Sequence, residues 1–254
     1  MIRFFRTIRQ KLIENGNIRK YFWYAMGEIF LVVVGILIAL QINNWNENRM
    51  TRNQEYLLLT SLQEEFEQNL IALQEVIRIN KANIEGANEF ASVLSPDEVK
   101  LSEKEISNLW DKTFRVDAIF RPSSGVLNEA INSGGLSIIQ NRELKKAVAS
   151  WEARIEELKV HEENVFLFRM AAYDHLRKDG NFRKILDYSR ETETWYQLQN
   201  SSFPSSNKAL LTSSQFENDL LLFIGTSVYF EYKYLLPLKE YLESTIELLS
   251  QEVV

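Results

Sequence analysis

The chain has 254 residues, of which 45% are hydrophobic and 25% are charged; this composition suits one or two globular domains and is not typical of a disordered chain. It has a formal net charge of −6 and contains no cysteine, so it has neither a disulfide nor a cysteine nucleophile. Because an acidic chain lacks the basic surface that phosphate binding requires, we expect no nucleic acid as a partner.

The first 20 residues form a basic segment before the longest apolar run. Residues 1–14 predict a short amphipathic helix, which Asn15–Asn17 should end. Such a helix can lie in the inner leaflet, where anionic lipid attracts it by about 1 kcal/mol per basic residue. Alternatively, the charges serve only to set the topology. The basic residues are Arg3, Arg6, Arg9, Lys11, Arg19 and Lys20.

Residues 21–42 predict a membrane-spanning helix. These 22 residues would extend about 33 Å, enough to cross the hydrocarbon core of a bilayer, and none between Ile29 and Leu40 is more polar than Gly35. We expect this to be the one span of the chain. Aromatic rings settle at the level of the lipid headgroups, and those at the two ends of the span are Tyr21, Trp23, Tyr24 and Trp45.

The distribution of charge predicts the orientation of the span. A basic flank keeps the N-terminus in the cytoplasm and sends residues 43–254 across the membrane, here into a bacterial periplasm. We expect an uncleaved signal anchor in the inner membrane, because residues 41–45 offer no small-x-small cleavage site. A cleavable signal peptide is the alternative, since it also combines a charged start with an apolar run.

The predicted span carries a candidate face for packing against another helix. Glu28 flanks this face and is the one acid inside the span. It is either an interfacial carboxylate neutralised by Arg19 or Lys20, or a contact or protonation site in an assembled bundle. Mostly small side chains recur every four residues on this face, where they would allow close approach; they are Gly27, Leu31, Gly35 and Ala39.

Residues 43–94 predict one long amphipathic helix that continues from the span. Its apolar residues follow spacings of three, four and seven, and they predict core packing rather than a coiled coil, because few heptads are clean. The apolar stripe consists of Leu59, Leu62, Phe66, Leu70, Leu73, Ile77 and Ile84. The remaining face holds Glu64, Glu65, Glu67, Gln68 and Gln74.

Capping residues and breaks predict the next helices. Ser102 and Glu105 have the spacing of a capping box that opens a helix to about Phe114. A short helix is predicted over 126–131, and glycines after it should end it. Asn141 is predicted to cap one long helix over 142–178. The buried side of that helix should contain Trp151, Ile155, Leu158, Val165, Phe168 and Ala172.

The last third of the chain predicts a short helix near 185–188, a loop over 200–208 and a final long helix. Ser214 and Glu217 have capping-box spacing at its start, and Pro237 should kink it. Its predicted buried stripe is Leu221, Ile224, Val228, Leu235, Leu238, Leu242, Ile246 and Leu249.

No pattern in the sequence predicts catalysis, so we expect a protein that is not an enzyme and that holds no cofactor or metal. The sequence has no nucleophile elbow, no phosphate-binding loop and no paired-histidine zinc signature. His161 and His175 are too far apart on one predicted helix to share a metal. Glu157 lies one turn before His161, a spacing that is common by chance. Runs of glutamate are typical of solvated helix faces.

Three stretches of the chain carry a likeness to a known group of proteins. They are Ile2–Arg6 with Ile8–Leu12, Tyr24–Ile29 with Gly35–Asn46, and Ser133–Leu136 with Ile139–Asn141 and Leu144. Together they resemble an uncharacterised family of single-pass membrane proteins that is abundant in Bacteroidota. The resemblance implies a membrane-anchored helical protein of unknown activity, and it transfers no catalytic residue.

The sequence therefore predicts an all-α fold: an amphipathic segment over 1–20, a transmembrane helix over 21–42 and an antiparallel helical bundle over 43–254. We expect a non-enzymatic interaction or assembly protein whose partners are membrane lipid and either a second copy or another membrane protein. The alternative is a sensory, ligand-binding bundle that signals through the span. An assembly protein should expose an apolar surface, whereas a sensor should contain a pocket.

Overall fold

The computed structural model of the chain describes residues 18–97, 100–189 and 199–253, apart from the side chains of residues 18, 20, 21 and 189. All regular secondary structure in these ranges is helical, which confirms the predicted all-α fold. The predicted amphipathic helix over 1–14 lies outside the described residues, and Arg3, Arg6, Arg9 and Lys11 lie outside with it. The chain divides into two compact units, Met1–Tyr56 and Leu57–Val254.

The helices follow one another through connectors of varied length. They are α1 (Ile18–Ser92), α2 (Glu103–Phe114), α3 (Gly125–Asn132), a 3-10 turn (Gly135–Ile138), α4 (Arg142–Ala149), α5 (Trp151–Asp179), α6 (Phe182–Ser189), α7 (Lys208–Leu211), α8 (Ser214–Phe230), a π-helical turn (Glu231–Leu235) and α9 (Leu236–Val253). Gly134, just before the 3-10 turn, has a φ of 74°, a left-handed conformation that favours glycine and stops α3.

α1 is continuous, as predicted, and passes the expected end of the span at residue 42 without a break. Proline is absent from it, and in the second unit its apolar stripe forms one wall of the core. This burial confirms that the stripe packs in a core. The fully or largely buried members are Leu59, Leu62, Phe66, Leu73 and Ile77, and the half-buried ones are Leu70 and Ile84.

The predicted capping box at the start of α2 is confirmed. The Ser102 hydroxyl accepts a hydrogen bond from the Glu105 N–H at 3.3 Å, and the Glu105 carboxylate accepts one from the Ser102 N–H at 2.7 Å. The Ser102 N–H and the Ser102 hydroxyl both donate to the Glu105 carboxylate, and these two bonds lower the pKa of Glu105. α2 approaches α1 closely at Gly86, where a Cβ would lie 2.8 Å from the carbonyl carbon of Lys112. A glycine is therefore required at that contact.

The predicted single helix over 142–178 is wrong in one respect, because Ser150 separates α4 from α5. The Ser150 hydroxyl donates to the Ala147 carbonyl at 3.0 Å, and the Tyr241 hydroxyl donates to the same oxygen. A side chain that donates to a backbone carbonyl competes with the helical N–H group for that acceptor, and this favours a break in the helix. Asn141 caps α4 as predicted, accepting hydrogen bonds from two backbone N–H groups at 3.0 and 3.1 Å.

The predicted capping box at the start of α8 is wrong by one position. Ser213, not Ser214, is the cap, and its hydroxyl accepts from the Phe216 N–H at 3.2 Å. The kink predicted at Pro237 corresponds to the π-helical turn, which ends two residues before it. Because proline has no N–H and its ring crowds the preceding turn, a wider turn accommodates it. Four leucines of the predicted stripe are buried and one, Leu221, is exposed; the buried ones are Leu235, Leu238, Leu242 and Leu249.

Two clusters of buried side chains fill the second unit. The first surrounds Trp151, whose ring centre lies 5.2 Å from that of Phe66 and 6.2 Å from that of Tyr241. The second surrounds Trp110, whose ring centre lies 4.7 Å from that of Phe114. Both tryptophans are fully buried and hold the helices of the second unit together.

Candidate functional site

The first unit presents an apolar surface on α1. An 18-residue window of this helix has a mean hydropathy of 2.4, and none of it is buried. Among the described residues, α1 alone is long and apolar enough to cross a membrane. Water solvates such a surface poorly, so this part of α1 is compatible with a single span. Its exposed side chains include Ile29, Phe30, Leu31, Val32, Ile36, Leu37, Ile38 and Leu40.

The aromatic residues predicted to anchor the span stand at both ends of this surface. Trp23 and Trp45 are exposed, and the Arg49 guanidinium carbon lies 6.0 Å from the Trp45 ring centre, a cation–π distance. Their depth in a bilayer stays a prediction. Of the other predicted anchors and basic residues, Tyr24 is half-buried and Arg19 is exposed, whereas the side chains that the structure leaves undescribed are Lys20 and Tyr21.

The predicted packing face of the span is open. A Cβ added to Gly27 or Gly35 would meet nothing within 4 Å, and Leu31 and Ala39 are exposed. Glu28 beside this face is half-buried. A second helix could therefore reach the face, but its association with one stays a prediction.

The two histidines occupy separate positions on α5. His175 Nε2 lies 2.7 Å from a carboxylate oxygen of Asp219 on α8. His161 stacks on Tyr234, with ring centres 3.8 Å apart. Across the described ranges, no group of three or more His, Asp and Glu side chains has the geometry to hold a metal ion. The histidines of this helix therefore take part in contacts between helices.

Residues 115–124 connect α2 to α3 without regular secondary structure, and we call this segment the strap. Between its two ends, where Arg115 and Ser124 bond to the backbone of the adjoining helices, side chains from α1 and α5 satisfy several of its backbone groups. On α1, Asn69 exchanges two hydrogen bonds with the Ser123 backbone, at 2.7 and 2.8 Å. Asn83 donates to the Val116 carbonyl at 2.9 Å. α1 thus holds the strap near both of its ends.

Glu65 holds the start of α3. One carboxylate oxygen accepts from the Ser123 hydroxyl at 2.9 Å and the Val126 N–H at 3.1 Å, and the other accepts from the Leu127 N–H at 3.0 Å. An acid here satisfies N–H groups that have no intrahelical partner and complements the helix dipole. The predicted solvated position of Glu65 is therefore wrong. Its spacing of three from Leu62, on the apolar stripe, is the signal that could have revealed its burial.

α5 holds the strap from its other side. Arg169 donates to the carbonyls of Phe114 and Val116, where α2 meets the strap. Its guanidinium also pairs with the Asp117 carboxylate at 2.8 Å. Burial lowers the pKa of the Arg169 guanidinium, and the charge of Asp117 opposes this change. Glu162 accepts a hydrogen bond from the Phe120 N–H at 2.7 Å. Burial raises the pKa of the Glu162 carboxyl, and the bond from Phe120 offsets part of the rise.

A groove of about 580 Å³ lies between the strap and α5. The buried rings of Phe120 and Trp151 line it, with centres 6.4 Å apart in an edge-to-face arrangement. An ion pair of 2.9 Å joins Glu156 to Lys159 at the groove. Because both rings are almost fully buried, the surface that the groove offers a small molecule belongs mainly to its other lining residues. The charged lining side chains are Arg121, Glu152, Glu156 and Lys159.

A family model matches residues 28–170 of the chain, and its description is a family of unknown function, DUF6090. No curated protein and no solved structure matches the chain. The matched region includes Glu28, most of the apolar part of α1, and the strap with its partners from Glu65 to Arg169. The match therefore includes parts of both units. Since it covers more than half of the sequence, the chain belongs to this family of unknown function, DUF6090.

Proposed function

We propose that this protein is a non-enzymatic interaction or assembly protein anchored in a bacterial inner membrane by the apolar part of α1. In this proposal the N-terminus lies in the cytoplasm and the helical bundle lies in the periplasm. The charge asymmetry supports this orientation, because residues 1–20 carry six basic side chains and one acidic side chain whereas the whole chain is acidic.

The observation that carries the proposal is that no residue in the apolar window of α1 is buried. A soluble protein covers its longest apolar helix with other elements, since leaving it in water costs free energy in proportion to its area. Lipid supplies the missing cover, and the open backbone at Gly27 and Gly35 offers a second helix a place to pack. Membrane lipid and a helical partner are therefore the interactions that fit this surface.

The use of the buried ionisable groups supports a non-enzymatic role. Glu65 and Arg169 are hydrogen-bonded to backbone groups of the strap and its neighbours, and His175 contacts Asp219. Side chains committed to holding backbone in place are poorly suited to exchange protons with a substrate. The polar interior thus supports a structural task.

Native purification tests the assembly function. A C-terminally tagged chain is extracted from its own membranes, and its complexes are identified by cross-linking and mass spectrometry. We expect a defined complex that weakens in Gly35→Leu, because the added side chain fills the open face. Val33→Leu is the matched control, since Val33 lies on the opposite side of α1. A wild-type chain that purifies as a monomer without partners would refute assembly.

A separate measurement tests the orientation. A reporter that is active only in the periplasm is fused after Val254, and a second one that is active only in the cytoplasm is fused at the same place. We expect activity from the first fusion alone. Activity of the cytoplasmic reporter would overturn the orientation and leave the anchoring intact.

A sensory, ligand-binding bundle is the second candidate, and the groove between the strap and α5 favours it. A ligand bound there would raise the thermal unfolding temperature of the chain, by an amount set by its concentration relative to its dissociation constant. A screen of small amphipathic molecules against the full chain in detergent measures this shift. A shift that disappears in Glu152→Trp, a bulky change at an exposed lining residue of the groove, would favour the sensor over the assembly protein.

A further inference from the structure

One face of α8 is apolar and exposed, and α5, against which the helix packs, adjoins this face at Tyr229. Leu221, Leu222 and Tyr229 are about half exposed, and Tyr232 in the following π-helical turn is 64% exposed. Gly225 lies among them with open space in front of it. Spacings of three and four put these residues on one surface, which we call the α8 face.

α5 extends the α8 face sideways. The contacts of His175 with Asp219 and of His161 with Tyr229 show that the two helices run antiparallel. In this register Leu167 lies at the level of Gly225, and its side chain is 65% exposed. The apolar surface is therefore wider than a single helix, as at sites where proteins bind each other.

Two exposed charges of opposite sign flank the α8 face at equal distances along the sequence. Glu217 lies eight residues before Gly225 and Lys233 lies eight residues after it, and both are exposed. With Leu221 and Tyr229 they form a series spaced four residues apart. On α8, which ends at Phe230, the members Glu217, Leu221, Gly225 and Tyr229 form a ridge, and Lys233 lies in the π-helical turn that follows. Two ridges of this kind pack with the helix axes crossing at about 50°.

From this arrangement, we propose that a second copy of the chain docks on the α8 face, with a twofold axis beside Gly225 and the two ridges antiparallel. Leu221 then packs against the partner's Tyr229, and Glu217 approaches the partner's Lys233. The twofold axis repeats both contacts, so the interface contains two Leu221–Tyr229 contacts and two Glu217–Lys233 pairs. This proposal rests on the proposed assembly function and names its partner.

Gly225 fits the centre of such a contact. A glycine in an exposed helix interior destabilises the helix relative to alanine. At a crossing point the missing side chain lets two backbones approach closely, and the contacts on either side of it can then form. The chemistry of the site is that of an isologous interface with an apolar centre and a charged rim.

Cysteine cross-linking tests the position of the axis, because the native chain contains no cysteine. The variant Gly225→Cys, in the full chain in native membranes, is oxidised with copper phenanthroline. We expect a disulfide-linked dimer, since the Cα atoms beside a twofold axis can lie within the roughly 4.4–6.8 Å that a disulfide spans. Glu247→Cys, an exposed position on α9, is the control and should cross-link at least about tenfold less.

A second pair of cysteines keeps the test valid should Gly225→Cys fold poorly. Leu221→Cys and Tyr229→Cys are expressed together as two differently tagged copies. We expect a mixed disulfide between the two tags at higher yield than a disulfide between identical copies. The opposite ratio would show that the two helices do not run antiparallel across this face and would refute the proposal.

Charge exchange tests the pairing itself. Glu217→Lys and Lys233→Glu each place like charges together at both rim contacts, and each should lower the yield of the Gly225→Cys dimer about three- to tenfold. The double variant restores opposite charges and should restore the yield. Failure of this restoration would overturn the pairing. Failure of all cross-linking, with the native complex still present and sensitive to Gly35→Leu, would refute the second-copy proposal while leaving the proposed function in place.

Discussion

Two parts of α1 carry the same kinds of apolar side chain in opposite surroundings. Leu37 in the first unit is 55% exposed, whereas Leu62 in the second unit is 0% exposed. Residues 29–40 are apolar all around the helix, but residues 59–77 combine an apolar stripe with a polar face. A stripe can be covered by neighbouring helices, while an apolar surface on every side is compatible with a membrane span. The angular distribution of apolar residues thus distinguishes the two parts.

The largest expected effect tests the buried part of α1. Phe66→Ala should lower the free energy of unfolding by about 3–5 kcal/mol, because the side chain is fully buried against Trp151 and its loss leaves a cavity. Urea unfolding of the full chain in detergent micelles measures the loss. Ile71→Ala is the control on the same helix, and its exposed side chain should contribute less than about 0.5 kcal/mol. Equal losses at both positions would contradict the comparison.

The next effect tests the exposed part of α1. Leu37→Arg should oppose membrane insertion by about 3 kcal/mol, because a charge near the centre of a span is poorly solvated by lipid. The fraction of the chain that stays in the membrane pellet after alkaline carbonate extraction should fall. Ile71→Arg is the control, since it puts the same charge on an exposed apolar position of the second unit. Unchanged extraction of Leu37→Arg would argue against the span.

A smaller effect separates polar from apolar burial in the second unit. Glu65→Ala should lower the free energy of unfolding by about 2–3 kcal/mol, because the N–H groups of Val126 and Leu127 lose their acceptor. Glu64→Ala, one residue earlier and exposed, should change it by less than about 0.5 kcal/mol. Urea unfolding compares the two variants. A larger loss of unfolding free energy in Glu64→Ala than in Glu65→Ala would show that Glu64, and not Glu65, faces the interior of the second unit.

The smallest effect depends on pH. Burial raises the pKa of Glu162, so its contribution to stability is present below the ordinary glutamate pKa of about 4.3 and is lost as the pH rises through the raised value. Glu162→Gln keeps an oxygen that can accept from the Phe120 N–H and cannot ionise. The variant should therefore gain stability relative to the native chain between pH 4 and 7, by less than about 1 kcal/mol because solvent screens a half-buried carboxyl.

Unfolding midpoints at three pH values measure this difference. The charged groups that act on Glu162 are Arg121 and Lys159, which favour its ionised form, and Glu163, which opposes it. These groups are present in both proteins, so subtracting the native curve isolates the carboxyl itself. A difference that does not change with pH would show that burial leaves Glu162 unperturbed.

Local signals made much of the fold predictable. The capping box at Ser102 and the cap at Asn141 depend on residues within three positions, and both are confirmed. The stripe of α1 follows from helical spacing alone, and the short helix expected near 185–188 is part of α6. The apolar part of α1 could also be recognised from local sequence, because its composition alone identifies it.

Contacts between distant residues set the limit of prediction. The spacing of Glu65 from Leu62 indicates a buried position, but the N–H groups that it meets lie 61 and 62 residues away, and no local pattern identifies them. The break at Ser150 involves Tyr241, whose hydroxyl reaches a carbonyl 94 residues earlier. The α8 face escaped prediction because α8 is apolar on several sides, so spacing did not show that Leu221 faces outward. Each of these features depends on which helices pack together in the folded chain.

The strap also sets an order of folding. Its partners Glu65 and Asn69 precede it in the chain, whereas Glu162 and Arg169 follow it, with the Phe120–Glu162 bond closing a separation of 42 residues. Helices form within microseconds, but contacts across such separations must first overcome the entropy of closing a loop. A chain that emerges N-terminus first therefore presents the strap to water until α5 is complete. The bonds from Glu162 and Arg169 to the strap can form only after α5 has been made. In a chain whose synthesis stops earlier, α1 alone would hold the strap.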